Sequence, residues 1–159
     1  MKNKTISISD SPQVIAPPPF IYLGGIMVGF ILQLVKPLSF LPKDLALPLG
    51  AALMVISIIF VTALFRVLKR AKTNVDVRKP TTSIVSAGPY RFTRNPIYLS
   101  MTLFTIGIAI WVNTIWILIT LVPVLLVMQF GVISREESYL ARKFGEEYLS
   151  YKSKVRRWL

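Results

Sequence analysis

Residues 95–134 read NPIYLSMTLFTIGIAIWVNTIWILITLVPVLLVMQFGVIS and contain no charged side chain. Forty residues are about twice the number that an α-helix needs to cross the roughly 30 Å hydrocarbon core of a bilayer. A polar break at residues 112–114 divides the stretch into two segments, and Trp111 and Trp116 flank it as residues of a membrane interface do. The stretch therefore predicts a hairpin of two transmembrane helices.

Two further uncharged stretches precede this hairpin, at residues 11–35 and 45–65. The span predicted within the first, at 14–35, has three consecutive prolines at 17–19 near its start, and the second has Pro48 in its first turn, where proline is tolerated. We therefore predict an all-α polytopic membrane protein with four transmembrane helices, a single membrane domain and a C-terminal cytoplasmic amphipathic helix. The predicted spans lie at about 14–35, 45–65, 96–112 and 114–133, with a cytoplasmic loop at 66–95 and a cytoplasmic tail at 134–159.

The composition excludes several other classes of protein. Of the 159 residues, 53% are hydrophobic and only 16% are charged, whereas a soluble domain has about 25% charged residues. The chain has no cysteine and no histidine, which excludes disulfides, a thiol nucleophile and a Ser-His catalytic pair. We expect no metal site, because the commonest metal ligands are missing.

The basic residues predict the orientation of the chain in the membrane. With four spans, 17 of the 19 Lys and Arg residues lie on the side of both termini and the 66–94 loop, and only Lys36 and Lys43 lie opposite. The positive-inside rule then predicts an integral membrane protein with both termini in the cytoplasm. Because the charge of +12 is juxtamembrane, it favours membrane lipids as partners and argues against nucleic acid.

The start of the third predicted helix has two interpretations. Asn95 is a favoured N-cap residue and Pro96 suits the first helical position, so the pair predicts a capped helix with interfacial side chains around it. The same helix N-terminus offers unpaired N–H groups to an anion, and Arg91 and Arg94 add two positive charges beside it. A carboxylate or phosphate site near the hydrocarbon boundary is the functional alternative.

The tail contains an apolar stripe and two adjacent acids. Leu140, Phe144, Tyr148, Tyr151, Val155 and Trp158 recur at steps of three and four. They predict one amphipathic helix that lies on the cytoplasmic leaflet or packs under the bundle. Glu136 and Glu137 follow the fourth span, where they would neutralise Arg91, Arg94 or Arg135, or bind a cationic ligand.

Two features inside the predicted spans bear on helix packing. Gly25 and Gly29 are four residues apart, a spacing that allows two helices to approach closely. Pro123 lies in the middle of the fourth span and predicts a kink, which is either structural or opens a crevice for a lipid-like substrate.

Residues 88–99, GPYRFTRNPIYL, resemble the loop-to-helix signature of the isoprenylcysteine carboxyl methyltransferase and phospholipid methyltransferase group. The tail resembles the C-terminal pattern of that family at Glu136, Glu137, Leu140, the motif Phe144-Gly145-x-Glu147-Tyr148 and Tyr151. The resemblance covers roughly residues 80–155, and the two motifs flank the hydrophobic hairpin. Better-known members have histidine where this chain has Asn95, so an acid–base role at that position is lost.

The resemblance implies a membrane enzyme that transfers a methyl group from S-adenosylmethionine to a lipophilic or lipid-linked acceptor, a carboxylate or an amine. The cofactor would enter from the cytoplasm and the acceptor through the bilayer. By position, the residues implied on one side of the cofactor are Thr93, Arg94, Asn95, Pro96, Tyr98 and Leu99, and those on the other are Arg135, Glu136 and Glu137. Arg91 or Arg94 suits the cofactor carboxylate, and no catalytic residue is assigned.

Methyl transfer from a sulfonium suits a chain without histidine, because the protein mainly has to align the reactants, which contributes roughly 7–11 kcal/mol. Two other functions stay open at this point. One is a nicotinamide-dependent membrane reductase of a lipid enone, and the other is a non-enzymatic small membrane scaffold. A transporter is disfavoured, because the predicted spans contain no charge.

Overall fold

The computed structural model describes residues 11–71 and 81–159, and it is all-helical in these ranges apart from turns and one isolated bridge. The N-terminal residues 1–10 and residues 72–80 of the predicted cytoplasmic loop lie outside the described residues. The α-helices are α1 (Pro18–Val35), α2 (Lys43–Arg70), α3 (Pro96–Trp111), α4 (Ile115–Val127), α5 (Ser134–Phe144) and α6 (Glu146–Lys154). A short 3₁₀ turn at Gly88–Arg91 precedes α3, and a π-helical segment at Met128–Ile133 joins α4 to α5.

Three helices are long and apolar enough to cross a membrane: Pro18–Val35, Lys43–Arg70 and the continuous helix Ile115–Phe144. The remaining apolar helix, α3, has 16 residues and is therefore about 24 Å long, shorter than a typical hydrocarbon core. The all-helical membrane architecture thus agrees with the sequence prediction, whereas the fourth span stays a prediction.

The predicted polar break between the third and fourth helices is a turn. The loop that joins α1 to α2 holds this turn in place. Asn113 adopts the left-handed conformation, with a φ of 54°, which asparagine tolerates better than most residues. Its side-chain oxygen accepts hydrogen bonds from the backbone N–H groups of Phe40 and Leu41, and its amide donates to the Leu41 carbonyl at 2.7 Å. Helix α4 then begins after Thr114, whose hydroxyl accepts from the Trp116 N–H.

The helices pack in two close pairs, α1 with α4 and α2 with α3, and glycines allow the approach. A Cβ atom on Gly29 would lie 2.8 Å from the Cα of Ile117, and one on Gly25 would collide with the side chain of Val124. The close packing suggested by the spacing of Gly25 and Gly29 is therefore confirmed. In the second pair, Gly107 lies directly against Met54.

We expect Gly29→Val to destabilise the protein, because the added side chain has to push α1 away from the backbone of α4. Overpacking of this kind costs about 1–3 kcal/mol, and the thermal unfolding midpoint of the purified protein in detergent measures it. Gly24→Val is the matched control, since nothing lies within 4 Å of a Cβ atom at Gly24. Equal midpoints for the two variants would contradict the proposed packing role.

The tail differs from the prediction of one continuous amphipathic helix, which is wrong. Helix α5 ends at Gly145, whose φ of 52° is a conformation that favours glycine and stops the helix. Helix α6 follows and ends at Lys154, after which Val155 is extended. The two short helices turn the chain back under the bundle, towards the start of α3.

Candidate functional site

A cavity of about 160 Å³ lies between the start of α3, helix α5 and the folded-back tail. Six of the ten predicted site residues line it: Arg94, Asn95, Pro96, Tyr98, Glu136 and Glu137. Tyr90, Tyr139, Tyr148 and Tyr151 add four phenol side chains, and Leu68, Ile84, Ile97 and Leu140 add apolar surface. The two motifs, about forty residues apart in the sequence, therefore meet at one cavity.

Four other predicted site residues do not line this cavity. Arg91 is exposed on the 3₁₀ turn, and Leu99 lies beyond the cavity wall. Thr93 is buried, but its hydroxyl donates to the Arg157 carbonyl at 3.1 Å. Arg135 is exposed and donates to the Gln13 carbonyl at 2.9 Å, beside a separate surface cleft.

Asn95 occupies the N-cap position of α3, as the sequence predicts, but its side chain makes no capping hydrogen bond. Its amide instead donates to the backbone carbonyl of Arg157 at 2.8 Å. Asn95, where the resemblance implies histidine in better-known members, therefore binds the tail.

Glu137 is a buried carboxylate held by three cations. Its Oε1 lies 2.9 Å from Arg94 Nη2 and accepts a hydrogen bond from Arg157 Nε, also at 2.9 Å. Its Oε2 accepts from Arg157 Nη2 at 2.7 Å and lies 3.4 Å from Lys152 Nζ. Burial of a charge is unfavourable unless it is paired and hydrogen-bonded, and this network meets both conditions.

Glu136, the neighbouring acid, has a different environment. Its Oε1 accepts a 2.6 Å hydrogen bond from the Tyr98 hydroxyl. Within residues 11–71 and 81–159, no ion pair involves Glu136. One acid of the pair is thus saturated by protein cations, and the other faces the cavity with a single phenol as its partner.

Arg94 is held by the tail, and one of its three guanidinium nitrogens has no partner in the described residues. Its Nη2 pairs with Glu137, its Nη1 donates to the Lys152 carbonyl at 3.2 Å, and its backbone N–H donates to the Arg156 carbonyl. The Nε atom is buried and has no hydrogen-bond partner in the described part of the chain. An unpaired buried donor is costly, so this atom, on a side chain that lines the cavity, is a polar group that still needs an acceptor.

Tyr90, Tyr148 and Tyr151 are neutral at physiological pH, because burial raises the pKa of each phenol. The pKa of Tyr148 and of Tyr151 rises to about 12. The Tyr151 hydroxyl donates to the Tyr90 carbonyl at 2.8 Å, which ties α6 to the 3₁₀ turn. The hydrogen bond to Glu137 raises the pKa of Arg157, which keeps that guanidinium charged.

Sequence reasoning missed Arg157 and Lys152 as partners of Glu137. Both belong to the seven basic residues of the tail, which the charge pattern assigned to the lipid surface. Their contacts depend on the reversal at Gly145, so no local pattern identifies them. The four tyrosines were also missed as a group, although a phenol among basic side chains near a predicted interface was a usable signal.

Comparison with known proteins adds an independent observation. A family model described as phospholipid methyltransferase matches residues 45–147, which is more than half of the chain. The chain belongs to the phospholipid methyltransferase family. The match confirms the resemblance carried by the two motifs and places this chain in a family of membrane methyltransferases.

A curated relative covers part of the same chain. An uncharacterized protein of Haemophilus influenzae is 46% identical over 63 residues, which are 39% of this chain and 98% of the relative. No solved structure matches the chain.

Proposed function

We propose that the protein transfers a methyl group from S-adenosylmethionine to a lipophilic acceptor in the membrane. The single observation that carries the proposal is the buried, unpartnered Nε of Arg94 on a cavity lined by both family motifs. The family match supports methyl transfer as the reaction class.

The residues present fit the polar groups of S-adenosylmethionine. Arg94 suits the carboxylate, because guanidinium and carboxylate form strong charge-assisted hydrogen bonds. Glu136 suits the ammonium, because no Lys or Arg side chain of the described residues pairs with its carboxylate. The apolar side chains of Ile97 and Leu140 suit the adenine. The cofactor supplies an activated methyl group on a sulfonium when bound.

The size of the cavity sets a condition on binding. Pockets that enclose a drug-sized ligand have volumes of about 300–1,000 Å³, whereas this cavity measures about 160 Å³. Binding of the whole cofactor therefore requires the walls to move apart, or part of the molecule to remain outside the cavity.

The protein groups then have two tasks during the reaction. They orient the acceptor against the methyl group, which lowers the barrier by removing translational and rotational freedom beforehand. A carboxylate acceptor needs no base. An amine acceptor loses a proton in the step, either to water or to a Glu or Tyr side chain of the cavity.

The same proposal includes the four-span topology. We propose that α3 crosses the membrane with α4 as a hairpin, supported by its uncharged sequence and by the turn at Asn113. Both termini would then be cytoplasmic, in agreement with the excess of Lys and Arg on that side. The cavity would open at the cytoplasmic leaflet.

Transfer of label from methyl-tritiated S-adenosylmethionine tests the proposal. We expect the full chain, reconstituted in bilayers of a bacterial lipid extract, to move tritium into the lipid fraction. Treatment with mild base separates the two acceptor classes, because a methyl ester releases volatile methanol and an N-methyl group is stable. Absence of transfer together with absence of S-adenosylmethionine binding would overturn the proposal. In a thermal-shift comparison, stabilisation by a reduced nicotinamide nucleotide and not by S-adenosylmethionine would favour the reductase.

A further inference from the structure

The last residues of the chain form an extended segment against the start of α3. We call residues 155–158 the C-terminal strap. Val155 is extended, and Arg156 forms a parallel bridge with Thr93, in which the Arg94 N–H donates to the Arg156 carbonyl at 2.9 Å. The family match ends at residue 147, so the strap lies beyond it.

Arg157 connects the strap to both sides of the cavity. Its backbone carbonyl accepts hydrogen bonds from the Thr93 hydroxyl and the Asn95 amide, at 3.1 and 2.8 Å. Its guanidinium binds both oxygens of Glu137. Such two-point pairs fix orientation as well as contributing energy, so Arg157 sets the position of the Glu137 carboxylate.

The position of the Glu137 carboxylate in turn determines the orientation of the Arg94 guanidinium. Glu137 Oε1 holds Arg94 Nη2, and the Lys152 carbonyl holds Nη1, so the guanidinium is fixed at two corners. Among the three guanidinium nitrogens, Nε is the one without a partner in the described residues. A carboxylate already engaged by three cations is also poorly suited to bind an ammonium, so Glu137 acts on protein groups and Glu136 faces the ligand.

We propose that Arg157 is a positioning residue of this site, which acts through Glu137 to orient Arg94 towards the carboxylate of the bound ligand. The inference rests on the proposed function, because it assumes an amino-acid carboxylate as the partner of Arg94. It assigns to the strap a role in ligand affinity in addition to its packing role.

Two ligands that differ in one part separate these roles. S-Adenosylhomocysteine carries the amino-acid carboxylate, whereas 5′-methylthioadenosine keeps the adenosine and lacks the amino-acid part. By calorimetry on the full chain in detergent, we expect Arg157→Gln to weaken S-adenosylhomocysteine binding about tenfold and 5′-methylthioadenosine binding less than about twofold. Lys154→Gln is the control, because it removes one positive charge from an exposed side chain outside the strap.

Arg157→Lys provides a second variant that keeps the positive charge but not the two-point geometry. We expect it to weaken only S-adenosylhomocysteine binding, by a few-fold. If Arg157→Gln does not fold, the comparison of the two ligands is made with Arg157→Lys. Equal losses for both ligands, or no loss for either, would overturn the positioning role while the proposed function stands. Failure of the parent chain to bind S-adenosylhomocysteine would overturn the proposed function itself.

Discussion

Replacement of Arg94 by alanine is expected to weaken S-adenosylhomocysteine binding about a hundredfold. The change removes an unpartnered buried donor, Nε, from a side chain that lines the cavity, and it also removes the positive charge that an anionic group would meet there. A hydrogen bond between charged groups contributes about 1.5–3 kcal/mol, and 2.7 kcal/mol corresponds to about a hundredfold in affinity. Calorimetric titration of the purified chain in nanodiscs measures the effect.

Arg91→Ala is the comparison variant for this prediction. Arg91 is three residues away and carries the same charge, but it is exposed on the 3₁₀ turn and does not line the cavity. We expect its affinity for S-adenosylhomocysteine to stay within about twofold of the parent, because an exposed charge is screened by water and salt. Equal losses for Arg91→Ala and Arg94→Ala would contradict the structural distinction between them.

Substitutions of the two adjacent acids, Glu136 and Glu137, are expected to have different effects on stability. Glu137→Gln leaves Arg94, Arg157 and Lys152 without their shared anion. Removal of one partner from a buried ion pair costs about 3–5 kcal/mol, and the partial exposure of Arg157 and Lys152 reduces this to about 2–3 kcal/mol. At about 2–4 °C per kcal/mol for a chain of this size, we expect the thermal unfolding midpoint to fall by roughly 4–12 °C.

Glu136→Gln provides the contrast. Its side chain keeps an oxygen that accepts from Tyr98, and no ion pair within the described ranges depends on it, so we expect the midpoint to change by less than about 2 °C. Methyl transfer should nevertheless fall at least about tenfold, because the cavity loses its unpaired acid. A stable Glu137→Gln variant, or an unstable Glu136→Gln variant, would show that the roles of the two acids are assigned wrongly.

The membrane-facing part of the fold could be predicted because its causes are local in the sequence. Uncharged stretches predicted the long apolar helices, Asn95 and Pro96 predicted the start of α3, and the polar residues at 112–114 predicted the turn before α4. Helix α3, Pro96–Trp111, matches the predicted span at 96–112 within one residue. The end of the following helix was predicted less well, because the continuous helix Ile115–Phe144 runs past the predicted end of the fourth span at 133.

The site could be predicted only in part, because side chains that are adjacent in sequence point in different directions. Successive residues of an α-helix are about 100° apart, and the π-helical segment before α5 rotates the following residues further. Arg135 therefore faces a surface cleft, while Glu136 and Glu137 face the cavity. The contacts of Arg157 follow from a chain reversal at Gly145, which is a tertiary feature.

The structure of the chain with bound S-adenosylhomocysteine decides whether this cavity is the cofactor site. We expect the ligand between the start of α3 and helix α5, with a carboxylate oxygen within hydrogen-bond distance of Arg94 Nε and the amino group beside Glu136. Density for the ligand at another place, or a cavity that stays closed at saturating ligand with Arg94 Nε still unpartnered, would contradict it.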